Sequence, residues 1–317
     1  MMNPKLSLID THCDTAYELF HRGEHLDRNS CHIDLEKASC YQHYAQYFAV
    51  WSNKRLDDEA CWLDFLKITD YFQAELDRLS DRAVQVRTGA ELDAAWAAKK
   101  TAAILAVEDA RLTAGHIERL DVLKRKGVRY MTLMWSGETC VGGSHNTQSG
   151  LTDFGKQLVA GCFERGIIPD VSHASEQSVD DLIPLARQYG KPFIASHSNS
   201  HEVCGHTRNL RDRHFAVIRE LGGIVGINLC PAFLTDTNVR PATMGDILAH
   251  IDHFMELGGE DVVGLGCDLD GTDLPEGFSH VGDLLKIADA LAQHNYTEEL
   301  IEKIFWKNYR CFALRNL

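Results

Sequence analysis

Long apolar runs, an excess of positive charge and closely spaced cysteine pairs are all missing from this sequence. No stretch approaches the ~20 uninterrupted apolar residues of a membrane-spanning helix, although 44% of the 317 residues are apolar and can fill a substantial core. The opening MMNPKLSLIDTHCD passes into a strand-like run without the apolar segment of a secretory signal. The expectation is therefore a cytoplasmic protein with no membrane partner. With 46 acidic against 32 basic residues the formal charge is -14, which disfavours a general nucleic-acid binder, whose affinity rests on basic surface facing phosphates. Small substrates escape that argument, because one arginine can hold a carboxylate within an acidic protein. The ten cysteines are scattered with no CxxC pair, a usage that fits a reducing interior. Cys13 and Cys267 stand beside carboxylates, but alternation along an extended segment turns each away from its acidic neighbour, so packing is their expected role.

Separators are scarce too. No Pro/Ser linker, repeat or low-complexity tract divides the chain. The polar loop GETCVGGSHNTQSG at 137–150 lacks the GK[ST] ending of a phosphate-binding loop, which leaves lining or covering a substrate as its expected work.

Eight short runs rich in Val, Ile, Leu or aromatics read as buried strands: 6–10, 46–51, 103–107, 128–133, 167–171, 192–195, 223–228 and 262–266. Helical patterns at 90–100, 114–124, 154–165, 179–189, 212–220 and 244–255 separate most of them, as parallel neighbours require. A strand roughly every thirty residues in the later part is the rhythm of an α/β fold, here expected to be a (β/α)8 TIM-like barrel of the metal-dependent hydrolase type. One catalytic barrel domain over 1–317 is expected, elaborated around 21–100. Within that region 56–80 reads as a long helix, and 83–87 as an edge strand or connection. A last helix at 297–314 carries Ile301, Ile304, Phe305 and Tyr309 on one face; closing the barrel exterior is its expected job, and a homodimer contact could use the same surface.

The chemistry-bearing residues cluster at the ends of these strands, where barrel enzymes place their sites. His12 and Asp14 alternate onto one side of the first strand end, offering an imidazole and a carboxylate to one cation. Glu108 follows the apolar run 103–107 at once, and a carboxylate there can bridge two cations. His173 and His197 sit at equivalent points of consecutive strand units. Five N/O ligands from four strand ends suit two divalent ions, with zinc preferred, while manganese, cobalt or iron fit the same atoms. Asp268 and Asp270 have the i,i+2 spacing that can face one pocket; Asp268, nearer the strand end, is favoured to orient a cationic group or move a proton. Arg208 offers a fork for a carboxylate. His201 and His206 are expected to line the pocket.

In order, SLIDTHCD, AVED, GVRYMTLMW, IPDVSHAS, ASHSNSHEVCGHTRN, VGLGCDLDG and LIEKIFWKNYRCF make nearly the whole chain similar to the renal or membrane dipeptidase family, peptidase family M19. That resemblance implies that His12 and Asp14 hold one zinc, His173 and His197 the other, and Glu108 bridges them. A hydroxide shared by the ions would attack a dipeptide carbonyl. Asp268 would orient the free amino group and assist the leaving amine, and Arg208 would recognise the terminal carboxylate. The family leaves the C-terminal residue's stereochemistry open, D-residues included. One position departs: where the animal enzymes carry a substrate-contacting histidine, this chain has Trp135, which cannot supply an imidazolium. Trp135 is expected to pack on a substrate side chain, and His145 to return a donor through the following loop. The competing functions are a binuclear-metal hydrolase of another small amide, lactone or phosphoester, and a silent metal- or peptide-binding barrel.

Overall fold

A computed structural model describes residues 6–317. Its strands are β1 (Leu8–Cys13), β2 (Tyr44–Trp51), β3 (Ala83–Gln85), β4 (Thr101–Glu108), β5 (Val128–Thr132), β6 (Ile168–Asp170), β7 (Val225–Ile227) and β8 (Val263–Leu265). All pair in parallel, in the order β6-β5-β4-β2-β1-β8-β7. The expected strand at 192–195 is reduced to two single bridges, Asp170 with Ile194 and Ala195 with Val225. Those bridges join β6 to β7, so the barrel closes with its staves in chain order. β3 lies off the ring, pairing with the start of β4, which is the edge role expected for 83–87.

Alternation explains why both faces of the staves are apolar. In β4, Ala102, Ile104 and Ala106 join the interior cluster, while Ala103, Leu105 and Val107 meet the surrounding helices. Each large side chain removed from water this way contributes about 1.5–3 kcal/mol. The helices begin where a capping side chain satisfies an orphan N–H: Asp57 for Asp58–Arg78, Thr152 for Asp153–Arg165 and Ser175 for Glu176–Tyr189. The helix expected from 114 starts instead at Arg119, because a 3-10 turn at Ala110–Thr113 ends on Ala114 with φ 49°.

The C-terminal segment differs from the expected single helix. It runs as Glu298–Glu302, a π-helical stretch at Lys303–Lys307, then Asn308–Asn316. The wider π turn shifts the side-chain register along the segment. Ile301, Ile304 and Phe305 pack with the outer core, whereas Tyr309 and Phe312 belong to the barrel's interior cluster. Gly264 makes the Tyr309 contact possible, since a Cβ there would fall 2.2 Å from the tyrosine ring. The helix therefore plugs the barrel as well as covering its outside. No helix among the described residues is long and apolar enough to cross a membrane.

Candidate metal centre

Every expected ligand emerges at the C-terminal end of a stave. His12 is the penultimate residue of β1 and Asp14 the first beyond it; Glu108 is the final residue of β4; His173 follows β6, and His197 follows the bridging segment at 194–195. All five are buried. Glu108 lies between the groups: Oε2 is 3.7 Å from His12 Nε2, while Oε1 is 2.9 Å from His173 Nε2 and 3.4 Å from His197 Nε2. The ligand atoms of His12, Glu108 and His197 lie within 4.8 Å of one another, as do those of His12, Asp14 and Asp268. His173 and His197 face each other, Nε2 to Nε2, at 3.1 Å.

Each imidazole is oriented by a partner on its far nitrogen. Tyr130 Oη donates to the Thr11 carbonyl at 2.7 Å and stands 2.9 Å from His12 Nδ1, so it receives the His12 Nδ1–H. Ser196 Oγ donates to Asp170 at 2.6 Å and stands 2.7 Å from His197 Nδ1, which repeats the arrangement. His173 Nδ1–H points to the Trp135 carbonyl at 3.1 Å. All three tautomers thereby leave an Nε2 lone pair facing the centre, as metal-bound histidines require. The sequence reading names none of these supporting atoms. Ser196 adjoins a ligand, and a tyrosine inside an apolar strand needs a hydrogen-bond partner; those were the available signals.

Two buried atoms test whether cations fit. His12 Nε2 and Asp14 Oδ1 are enclosed without any hydrogen-bond partner, a costly arrangement unless something else satisfies them. The electrostatics agree. Burial, then the neighbouring Glu108, drives the Asp14 carboxyl far up. Burial works against the charged form of His12, but Glu108, Asp14 and Asp268 outweigh it and raise that imidazole. Burial opposes ionisation of Glu108 as well, yet the facing imidazoles of His12, His173 and His197 hold it well below the usual range. Burial drives His173 and His197 the opposite way to His12, holding both imidazoles neutral. It is a buried binuclear His/Asp/Glu site suited to two divalent metal ions.

A cleft of about 230 Å³ opens over this centre. Asp14, Glu108, His173, Asp268 and Trp135 line it, together with Tyr17, Trp51, Cys230 and Phe233, which sequence reasoning missed because no motif marks them. Asp268 has φ 60°, a conformation rare for residues other than glycine. Its Oδ1 is 3.7 Å from His12 Nε2, and Oδ2 accepts from Asn228 at 3.0 Å. Asp270 is differently engaged, accepting from Thr15 Oγ1 at 2.5 Å and from the His32 N–H at 2.6 Å.

Other expected residues do not line the cleft. Arg208 is buried against the Ser198 hydroxyl and the His197 carbonyl, both at 2.9 Å, with its Nε unpartnered. The Phe233 ring, a cleft residue, lies 5.5 Å from its guanidinium. His145 bonds Thr207 at 3.1 Å, with its ring 6.0 Å from that of His173; burial and then Arg208 push its pKa down to about 3. His201 and His206, expected as lining residues, instead meet Arg211 and the backbone N–H of Arg208.

The profile of the membrane dipeptidase family, peptidase family M19, matches residues 2–312. The chain belongs to that family. A metallo peptidase from Rhodobacter sphaeroides, solved with a phosphinate mimic of the dipeptide L-Ala-D-Ala, superposes with a TM-score of 0.91 at 27% identity, over 99% of this chain and 100% of that one. The dipeptidase AC, a metallo peptidase of family M19, gives 0.90 at 28% identity over 98% and 99%. An uncharacterized Klebsiella pneumoniae protein in the pqqA 5′ region is 35% identical over 169 residues, 53% of this chain and 61% of that protein. Family membership and the buried ligand cluster together make this M19 member a metal-dependent, dipeptidase-like hydrolase.

Proposed function

We propose that this M19 protein cleaves dipeptides carrying a free amino and a free carboxyl terminus, with zinc as its metal. The observation that carries the reading is Glu108, whose two oxygens face His12 on one side and His173 with His197 on the other. His12 and Asp14 would hold one ion and His173 and His197 the second, with Glu108 offering an oxygen to each. When bound, such ions polarise a carbonyl and lower the pKa of a shared water. The remaining work belongs to side chains. Asp268, steadied by Asn228, orients the substrate ammonium, accepts a proton from the attacking water and passes it to the leaving amine. Arg208 receives the terminal carboxylate through its fork. Trp135 forms the wall for a substrate side chain, and His145 supplies a neutral N–H from the loop behind it. The Rhodobacter relative was solved with a mimic of L-Ala-D-Ala, which supports acceptance of a C-terminal D-residue here.

A stereochemically varied dipeptide panel, run against simple amides, lactones and phosphoesters on metal-loaded protein, tests the proposal. Turnover of free dipeptides is expected, and consistent activity on the non-peptides alone would reject it. Metal quantification excludes the silent-barrel reading if two ions bind per chain and His197→Ala loses occupancy and turnover together.

A further inference from the structure

Acceptors dominate the cleft over the metal centre. Asp14, Glu18, Glu108, Asp268 and Asp270 all bring carboxylates to its wall, yet attack on a carbonyl builds negative charge on oxygen, which hydrogen-bond donors stabilise. Two other polar groups there are already committed: His173 gives its Nδ1–H to the Trp135 carbonyl, and the Thr272 hydroxyl bonds Cys230. Tyr17 is different. It is buried, lines the same cleft, and stands one turn beyond Asp14 in the helix Thr15–Arg22, the spacing that places two side chains on one face. The catalytic reading gives its hydroxyl nothing to do.

That hydroxyl is held in one orientation. Asn53, two positions past the end of β2, accepts the Arg55 backbone N–H on Oδ1 at 2.9 Å, which fixes the amide with Nδ2 turned to Tyr17. Nδ2 donates to Tyr17 Oη at 2.7 Å. A phenol oxygen that receives a hydrogen bond must direct its own hydrogen elsewhere, and Asn53 is the one hydrogen-bond partner of Tyr17 Oη among the described residues. Trp51 meets the Tyr17 ring edge-on at 5.5 Å and His21 flanks it at 4.3 Å, which holds the ring in place. Burial raises the phenol's pKa, Asn53 offsets part of that, and Asp64, Glu18 and Asp14 add to it, so the group keeps its hydrogen at neutral pH.

We propose that Tyr17 is a further catalytic residue: its hydroxyl, aimed by Asn53, donates a hydrogen bond to the carbonyl oxygen of the bond being cleaved and tightens as that oxygen gains charge. The inference rests on the dipeptidase reading above. In a dipeptide the cleaved carbonyl belongs to the residue that carries the ammonium. Asp268, the group assigned to that ammonium, shares a cluster with His12 and Asp14, one helical turn from Tyr17. No proton leaves Tyr17; the bond strengthens in the transition state, the kind of contact that raises kcat. Asn53 acts through Tyr17 and is a positioning residue.

Tyr17→Phe keeps the ring and removes the donor. On metal-loaded protein, kcat for a free dipeptide should fall about 10- to 150-fold, the range for a hydrogen bond to a charged group, with KM within about threefold of wild type. A phosphinate dipeptide analogue, whose tetrahedral oxygens stand in for the charged oxygen, should lose affinity in proportion, while bound metal stays at the wild-type amount. Asn53→Asp replaces the amide donor by an acceptor and turns the Tyr17 hydrogen away from the cleft. It should reproduce most of the loss and add little in the double variant. Wild-type kcat and phosphinate affinity in Tyr17→Phe would overturn the proposal, as would losses from the two substitutions that add in full, or a loss of turnover accompanied by loss of metal. A wild type that cleaves no dipeptide would count against the function proposed above and carry this inference down with it, whereas an active wild type matched by Tyr17→Phe refutes this inference alone.

Discussion

Replacing Tyr130 by phenylalanine removes one oxygen atom and isolates the link between the barrel interior and the metal centre. Tyr130 is fully buried, its ring packed within the interior cluster, so phenylalanine fills the same space. What disappears is the acceptor 2.9 Å from His12 Nδ1. The imidazole then keeps a buried Nδ1–H with nowhere to donate, or moves the proton to Nε2 and loses the lone pair that faces the centre. Leaving a buried donor unsatisfied costs about 1–3 kcal/mol. That range corresponds to about a 5- to 150-fold loss in affinity, in line with the roughly 10- to 100-fold usual for removing such a supporting group. Only His12 loses its support, so one ion should weaken and the other hold. Chelator competition with quantification of bound metal, on wild type and Tyr130→Phe, measures this directly. Two unchanged affinities, within about twofold, would refute the claim that Tyr130 fixes the His12 tautomer.

Three other outcomes follow from the same geometry. Arg208→Ala should lower kcat/KM for dipeptides with a free carboxylate by about 30- to 150-fold, the worth of about 2–3 kcal/mol in charge-assisted hydrogen bonds, with little effect on C-terminally amidated substrates; an equal loss on both would indicate structural damage. Stripping metal should shift the urea midpoint downward, because the ions stabilise only the folded chain, by about 4 kcal/mol when free metal exceeds Kd 1,000-fold. His250 gives a pH signature. It is fully buried, accepts from the Ser200 N–H at 3.1 Å and faces the Leu234 carbonyl at 3.1 Å, and burial lowers its pKa from 6.5 to about 4. Between those values the unfolded chain binds the extra proton, so this contribution is complete above about pH 6.5 and is lost as pH falls towards 4. The 2.5-unit difference amounts to about 3 kcal/mol, and denaturant midpoints for His250→Gln should be correspondingly flatter across that window.

The five candidate ligands are legible in the sequence because a barrel puts chemistry at strand ends, and a strand end can be read from where an apolar run meets a polar residue. His12, Asp14, Glu108, His173 and His197 all stand at such junctions. The groups that orient them are less legible: Tyr130 is 118 positions from His12, and Ser196, although next to His197, is itself held by Asp170, 26 positions away. The apolar run at 192–195 falls short of a strand for a related reason. Its apolar residues satisfy the pattern, but the chain at Ile194 and Ala195 needs only one bridge to each neighbour to complete the circle. The final helix reads as an exterior face because its periodicity looks ordinary, and the π turn at Lys303–Lys307 that redirects Tyr309 carries no sequence signature. Cleft residues such as Trp51, at a strand end, and Phe233, in a short helix, meet only through the tertiary fold, which a pattern of hydrophobic residues does not encode.

Tyr309 also sets a timetable. Its hydroxyl donates to Thr11 Oγ1 at 2.8 Å, a contact between residues 298 positions apart, and Thr11 in turn donates to the Ser196 carbonyl at 2.5 Å beneath the histidines. A ribosome delivers the first stave long before the residue that seats it, so the opening strand must wait for almost the entire chain to be made. Non-local closure of this kind is slow and leaves unpaired edges exposed in the interval. Ending the chain just before Tyr309 should therefore yield a product that synthesises normally, fails to complete its ring and is recovered largely as aggregate, although every candidate metal ligand is present.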